Sequence, residues 1–142
     1  MINVDSIERG IVLDHIKSGR SMDIYRILKL DQLDCSVAII KNVRSSKMGS
    51  KDIIKISDEI DLNLDVLGYI DPNITVNIIE DGVTKEKKRL SLPQTIVNVT
   101  KCRNPRCITS VEQELDHIFR LADPEKGVYR CIYCDHKAKR KL

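Results

Sequence analysis

Four cysteines in the last third of the chain, Cys102-x4-Cys107 and Cys131-x2-Cys134, constrain its fold more than any other feature. Two close pairs on facing turns bring four soft thiolates to one tetrahedral point at low loop-closure cost. The x2 spacing is common in zinc knuckles, and x4 lies within the range of the other arm. The twenty-three residues between Cys107 and Cys131 leave room for a strand, a turn and a returning strand. One structural Zn(2+) per chain is therefore expected on Cys102, Cys107, Cys131 and Cys134. Four protein thiolates leave no position for water, so such an ion holds structure and performs no chemistry.

Other uses of these cysteines fit less well. Two disulfides would suit a secreted chain, but Asp5, Glu8 and Arg9 interrupt any apolar leader in residues 1–20. A thioredoxin-like pair opens a helix after a strand, whereas Cys131–Cys134 runs into Asp135-His136-Lys137 and a basic tail. His117 and His136 are candidate ligands for a mixed site, yet four cysteines suffice and both histidines read as ordinary surface groups. Cys35, in an apolar run ending at Ile40, reads as a small buried hydrophobe.

A chain of 142 residues is one domain or two small ones. Residues 101–142 carry ten Lys/Arg against six Asp/Glu, while residues 1–100 carry fourteen against fifteen. The net charge of +3 thus resides in the cysteine-bearing segment and is modest for a dedicated nucleic-acid binder. No apolar run reaches the eighteen residues of a membrane span, so no membrane partner and a cytoplasmic location are expected. A zinc module of about forty residues buries too little apolar surface to stand alone, and is expected to dock on a partner.

The first hundred residues alternate strand and helix signals. Strands are predicted over 11–16, 35–43, 51–56, 74–79 and 84–90, the last after an Asp81-Gly82 turn. Helices are predicted over 22–30, with Ser21 as N-cap, and over 60–70, ending before Pro72. The fold class is α+β: a ferredoxin-like βαββαβ domain over residues 1–96, then a small β-rich zinc-ribbon-like domain over 97–142. No enzyme is expected, because no nucleophile has a paired base and no glycine-rich phosphate loop is present. The neighbours Asp14-His15 and Asp116-His117 would face opposite ways on a strand. His15, Lys51, Lys55, Asn77 and the cluster Lys85, Lys87, Lys88, Arg89 admit two readings. They are either a solvated edge, as lysines on edge strands often are, or a polyanion pocket; composition alone favours the edge.

The stretches Ile7–Ile16, Met48–Ile56, Thr75–Asn77 and Ser91–Pro93, with the four cysteines at their spacing, resemble the regulatory chain of aspartate carbamoyltransferase from end to end. The resemblance implies a non-catalytic allosteric subunit in pyrimidine biosynthesis. CTP with UTP would inhibit and ATP would activate, all binding the N-terminal domain. The subunit would pair with itself as a regulatory dimer and grip the catalytic chain through its zinc domain. Position by position, Val4, Asp5, Ile7 and Val12 would border the base, with backbone groups near Ile7 reading its edge. Asp14 and Lys55 would hold the ribose, and His15 and Lys87 the triphosphate. Asn77 and Ile79 would close the floor, and Lys51 would serve a neighbouring nucleotide. Asn104 and Asp135 would contact the catalytic chain. The chain departs from the family's usual residues at Asp5, Gly82, Thr84 and Arg106. A rival class, a zinc-ribbon nucleic-acid-binding protein, would suit the basic run Lys137–Lys141. Against it, the chain has four Tyr, one Phe and no Trp, few for base-stacking platforms.

Overall fold

Alternation of β-branched apolar residues with polar ones turns into two unlike faces once the strands are registered. In the computed structural model, which describes residues 7–138, the first sheet is built from five strands. They are β1 (Gly10–Lys17), β2 (Val37–Ser45), β3 (Gly49–Ile56), β4 (Thr75–Glu80) and β5 (Val83–Arg89). All neighbours are antiparallel, in the order β2-β3-β1-β4-β5. Helix α1 (Ser21–Ile27) and a 3-10 turn (Leu30–Gln32) join β1 to β2, and α2 (Leu64–Ile70) joins β3 to β4. Ile11 and Leu13 of β1, Ile54 and Ile56 of β3 and Val76 of β4 are buried with Ile24, Leu30 and Leu67 from the helical connections. Each such side chain contributes about 1.5–3 kcal/mol on leaving water, so this face drives folding of the sheet.

The opposite face is polar because the strands break step in a coordinated way. Leu13 lies opposite Ile54 but Ile16 lies opposite Asp52, so β1 carries one extra residue between them. His15 absorbs the bulge with φ 60°. Asp14 and His15 therefore both serve the open face, contrary to the simple alternation expected from sequence, and Ile16 returns to the core, fully buried. A matching bulge in β2 lies between Ile40 and Val43, where Asn42 has φ 60°.

Asp52 joins these irregularities. It faces the core and is 0% exposed. Its Oδ1 accepts the Asn42 N–H at 2.8 Å, while Oδ2 accepts the Ser21 hydroxyl at 2.6 Å and the Gly19 and Ser21 N–H groups at 3.0 and 3.3 Å. Ser21 is thus the first residue of α1 rather than its cap, its hydroxyl being committed to Asp52. The helix is shorter than predicted because Lys29 turns left-handed at φ 54°. Helix α2 also starts later than predicted. Asn63 caps it by accepting the Val66 N–H at 3.2 Å, and Ile60 and Leu62 reach the core from an extended approach. Helical spacing among apolar residues thus overestimated the helix by one turn.

The second sheet is β6-β7-β8, from β6 (Thr95–Val97), β7 (Ile118–Asp123) and β8 (Val128–Cys131), with a single helical turn α3 (Ile108–Val111) between β6 and β7. Its buried cluster comprises Ile96, Phe119, Tyr129 and three cysteines, together with Tyr69 from α2. The Tyr69 and Tyr129 rings meet edge to face at 4.9 Å, and the Tyr129 hydroxyl donates to the Pro93 carbonyl. Gly68 makes this approach possible, since a Cβ there would stand 2.2 Å from the Ser91 carbonyl oxygen. Among the described residues no helix is long and apolar enough to cross a membrane.

Burial pushes the Asp52 carboxyl up, but donation from Ser21 and from the Asn42, Gly19 and Ser21 N–H groups prevails and holds it below its ordinary value. A depressed folded value adds stability that is complete above the unfolded carboxylate value of about 3.9 and is lost as pH falls through the folded value. Asp52→Ala is expected to cost about 2–4 kcal/mol at neutral pH, because it strands several buried donors. Urea midpoints should show that cost shrinking as pH is lowered below the carboxylate range. An unchanged midpoint at neutral pH would contradict this role.

Candidate functional site

The metal site is assembled from two turns that the second sheet brings face to face. Cys102 and Cys107 flank the first turn, and Cys131 ends β8 with Cys134 just beyond it. All four cysteines are free thiols whose sulfur atoms lie within 4.8 Å of one another. The closest pairs run across the turns, Cys102 to Cys134 at 3.6 Å and Cys107 to Cys131 at 3.7 Å. A tetrahedral ion with metal–sulfur bonds of about 2.3 Å requires sulfur–sulfur edges of about 3.8 Å, so the quartet fits.

The surroundings favour a cation. Burial pushes the Cys102 thiol up to about 12 and raises Cys131 as well. Cys107 behaves oppositely: the Thr109 hydroxyl donates to its sulfur at 3.1 Å and draws it down to about 7. Backbone N–H groups of Asn104, Thr109, Tyr133 and Cys134 also face the sulfurs. These donors stabilise thiolate charge, but burial opposes a cluster of negative charges unless a metal compensates it. His117 is not a ligand, yet it is more than a surface group. Its Nδ1 accepts the Cys102 N–H at 3.1 Å, and its own N–H donates to the Asn98 side chain at 2.9 Å. Sequence reading missed both Thr109 and His117 as supports of the quartet; the two-residue step from Cys107 to Thr109 was the available signal.

Asn104 and Asp135 sit on the two turns and are internally engaged. The Asn104 carbonyl accepts the Ser110 hydroxyl at 2.7 Å, and its side-chain oxygen accepts the Arg106 N–H at 3.1 Å. Asp135, with φ 66°, pairs with Arg120 at 2.6 Å. Exposed apolar side chains flank both turns: Ile108 and Val111 on α3, Ile132 and Tyr133 after β8.

On the first sheet, a cavity of about 280 Å³ opens on the polar face, lined by Ile7, Val12, Asp14, Ile53, Lys55, Asn77, Ile79, Gly82 and Thr84. Six candidate residues read from the sequence, Ile7, Val12, Asp14, Lys55, Asn77 and Ile79, thus meet in one place. Register explains the convergence. Lys55 lies opposite Val12, Val12 opposite Asn77 and Asn77 opposite Lys87, giving one row across four strands. Lys87 belongs to that row but is exposed and stands outside the cavity lining. Lys88 is half-buried and lies opposite the core residue Val76. Val4 and Asp5 lie outside the described residues, as do positions 139–141 of the basic run.

At the far end of the cavity, Lys51 pairs with Asp14 at 2.9 Å, and His15 Nδ1 lies 2.9 Å from the Thr75 hydroxyl. Burial pushes the Asp14 carboxyl up, but Lys51 and the His15 N–H hold it below its ordinary value. Lys51, His15 and Lys55 therefore gather positive charge at one end of an otherwise apolar hollow. The Asn77 side-chain oxygen is buried there and accepts no hydrogen bond. An unmet buried acceptor costs about 1–3 kcal/mol, a debt that a bound hydroxyl or amino group would remove. This hollow has charge, an apolar wall and an unmet acceptor, but no nucleophile beside a base. It is built to hold an anionic polar molecule.

Residues 2–91 match the family model described as aspartate carbamoyltransferase regulatory chain, allosteric domain, and residues 94–142 match the one described as the metal binding domain of the same chain. The chain is 53% identical over 135 residues to the aspartate carbamoyltransferase regulatory chain of Clostridium acetobutylicum, covering 95% of this chain and 92% of that one. The chain so named from Clostridium tetani is 54% identical over 136 residues, covering 95% of this chain and 94% of its own. That of Bifidobacterium longum is 44% identical over 138 residues, covering 97% and 99%.

Thr109→Val removes the hydroxyl donor to Cys107 at nearly constant volume. Metal affinity is expected to fall by about tenfold or more, the usual cost of losing an outer-shell partner. Competition with a chromophoric chelator measures this. In metal-free protein the ultraviolet thiolate absorbance of Cys107 should then titrate above its present value of about 7.

Proposed function

Since this chain belongs to the aspartate carbamoyltransferase regulatory chains, which are non-catalytic subunits, we propose that its open-face cavity binds the nucleotide effectors of that enzyme. CTP and UTP would inhibit and ATP would activate. The single observation that carries this reading is the buried, unmet Asn77 oxygen at the centre of the Lys55–Val12–Asn77–Lys87 row. The apolar end near Ile7 and Val12 suits a base, Asp14 and Lys55 a ribose, and His15 and Lys87 a triphosphate. Charge-assisted donors are what a polyphosphate requires. Lys51, committed to Asp14 in this state, would serve a neighbouring nucleotide only by giving up that pair.

The metal is proposed to be Zn(2+), one per chain, because a four-thiolate tetrahedron is its preferred structural site. The strand order β2-β3-β1-β4 with two helical crossovers supports the ferredoxin-like reading of the first unit. The proposed division at residues 96/97 passes through β6; that strand's pairing with β7 favours placing the division just ahead of Thr95.

The catalytic chain of aspartate carbamoyltransferase is the partner implied by family membership. The docking surface is proposed on the two metal turns, at Asn104, Asp135 and the neighbouring apolar side chains. A regulatory dimer and a cytoplasmic setting complete the reading. Co-purification with a catalytic carbamoyltransferase chain, with inhibition by CTP and activation by ATP in the assembled enzyme, tests it. Free monomer beside that chain in sedimentation would sink it.

Two variants separate the parts. Cys131→Ser should lose the metal and catalytic-chain binding while leaving the far-ultraviolet signal of the first sheet in place; docking that survives metal loss would refute the assignment. Lys87→Ala should weaken CTP and ATP by similar factors, about tenfold, since a screened phosphate contact carries no base information. Lys88→Ala should change nucleotide affinity much less. Titration of both nucleotides against both variants decides whether the strand is a site or only a solvated edge.

A further inference from the structure

The base end of the cavity has a wall that no side chain of β5 or its turn provides. Gly82, at φ 76°, lines it with bare backbone. A Cβ placed there would stand 3.6 Å from Glu8 Oε2 and 3.8 Å from Oε1, so a carboxylate covers the ground that a residue-82 side chain would take. The Gly82 N–H donates to the Glu8 carbonyl at 2.9 Å, tying this carboxylate's backbone to the turn between β4 and β5. Ile7, the residue before Glu8, lines the cavity directly.

The Glu8 carboxylate has no ion-pair or hydrogen-bond partner among the described residues. The nearby cations are already taken: Arg9 pairs with Glu59 at 3.2 Å and Lys85 with Glu80 at 2.7 Å. An ionised carboxylate only accepts hydrogen bonds. Placed at the base end, it rewards a base that presents an amino group and penalises one that presents a carbonyl oxygen there.

We propose that Glu8 is a specificity-determining residue of this cavity, its carboxylate accepting from the exocyclic amino group of a nucleotide base and disfavouring bases that carry a carbonyl at that position. This rests on the nucleotide reading above and deepens it. The ligand class is a nucleoside triphosphate with an amino-bearing base, and the discriminating pair is CTP against UTP, which differ at this one group.

The test is calorimetric titration of the metal-loaded full chain with CTP and with UTP at one ionic strength, in the parent protein, Glu8→Ala and Glu8→Lys. The parent should prefer CTP. Glu8→Ala should cut the CTP:UTP affinity ratio by about three- to tenfold, the low end for a charged hydrogen bond at an exposed rim. Glu8→Lys should cut it further, because a donor now meets the uracil carbonyl. Variants that shift both nucleotides by one common factor, leaving the ratio intact, would overturn the role of Glu8 and reveal only a long-range charge effect on the phosphates. Failure of the parent protein to bind either nucleotide would instead overturn the nucleotide reading, and this proposal with it.

Discussion

The Asp52 carboxylate, sealed in the core and bonded to Gly19, Ser21 and Asn42, is the interaction on which the rest of the first sheet depends. It lies opposite Ile16, where β1 rejoins register after its bulge, and it holds the β2 bulge through Asn42. Without an acceptor at that point, the N–H groups released by both bulges and by the start of α1 would be buried without partners. The bulge in turn lets Asp14 and His15, consecutive in sequence, serve one face. A buried charge in the core thus supports a polar hollow on the opposite side of the sheet.

A different economy holds the second unit together. Its buried apolar side chains are few, chiefly Ile96, Phe119 and Tyr129, and three of its buried residues are cysteines. Apolar burial of this extent falls short of the conformational entropy of some forty ordered residues, so a metal–thiolate cluster takes the place of a larger core. Tyr69 extends that core from outside. It is delivered by α2, whose other buried residue Leu67 packs against the first sheet. One short helix is therefore shared by two hydrophobic clusters, and Gly68 between those two side chains allows the Ser91–Pro93 segment to pass close by. Any movement of α2 is felt in both units.

Much of this was legible from residues alone. Four of the five strands of the first sheet lie within two residues of their expected limits, because β-branched runs bounded by Gly, Pro and Asp report local geometry directly. The helices were less legible: Ile60 and Leu64 are spaced as on a helix, yet Asn63 starts the helix between them. Polar side chains also hid their roles. Ser21, Asp52, Thr109 and His117 read as ordinary polar residues until the partners they serve were beside them.

The sequence by itself determined the metal quartet, the strand and turn order, the absence of a catalytic constellation and the family. Each is written in short-range spacing or in residue identity along the chain. Tertiary structure alone decided which residues share a face. Bulges in β1, β2 and β5 shift that assignment by one position, and a bulge is fixed by cross-strand pairing rather than by local propensity. It also decided that Lys55, Val12, Asn77 and Lys87 form one row, that Tyr69 completes a core built mostly from residues beyond Leu92, and that the Glu8 carboxylate stands over Gly82. Those facts join residues far apart in the chain, and only packing brings them within reach of one another.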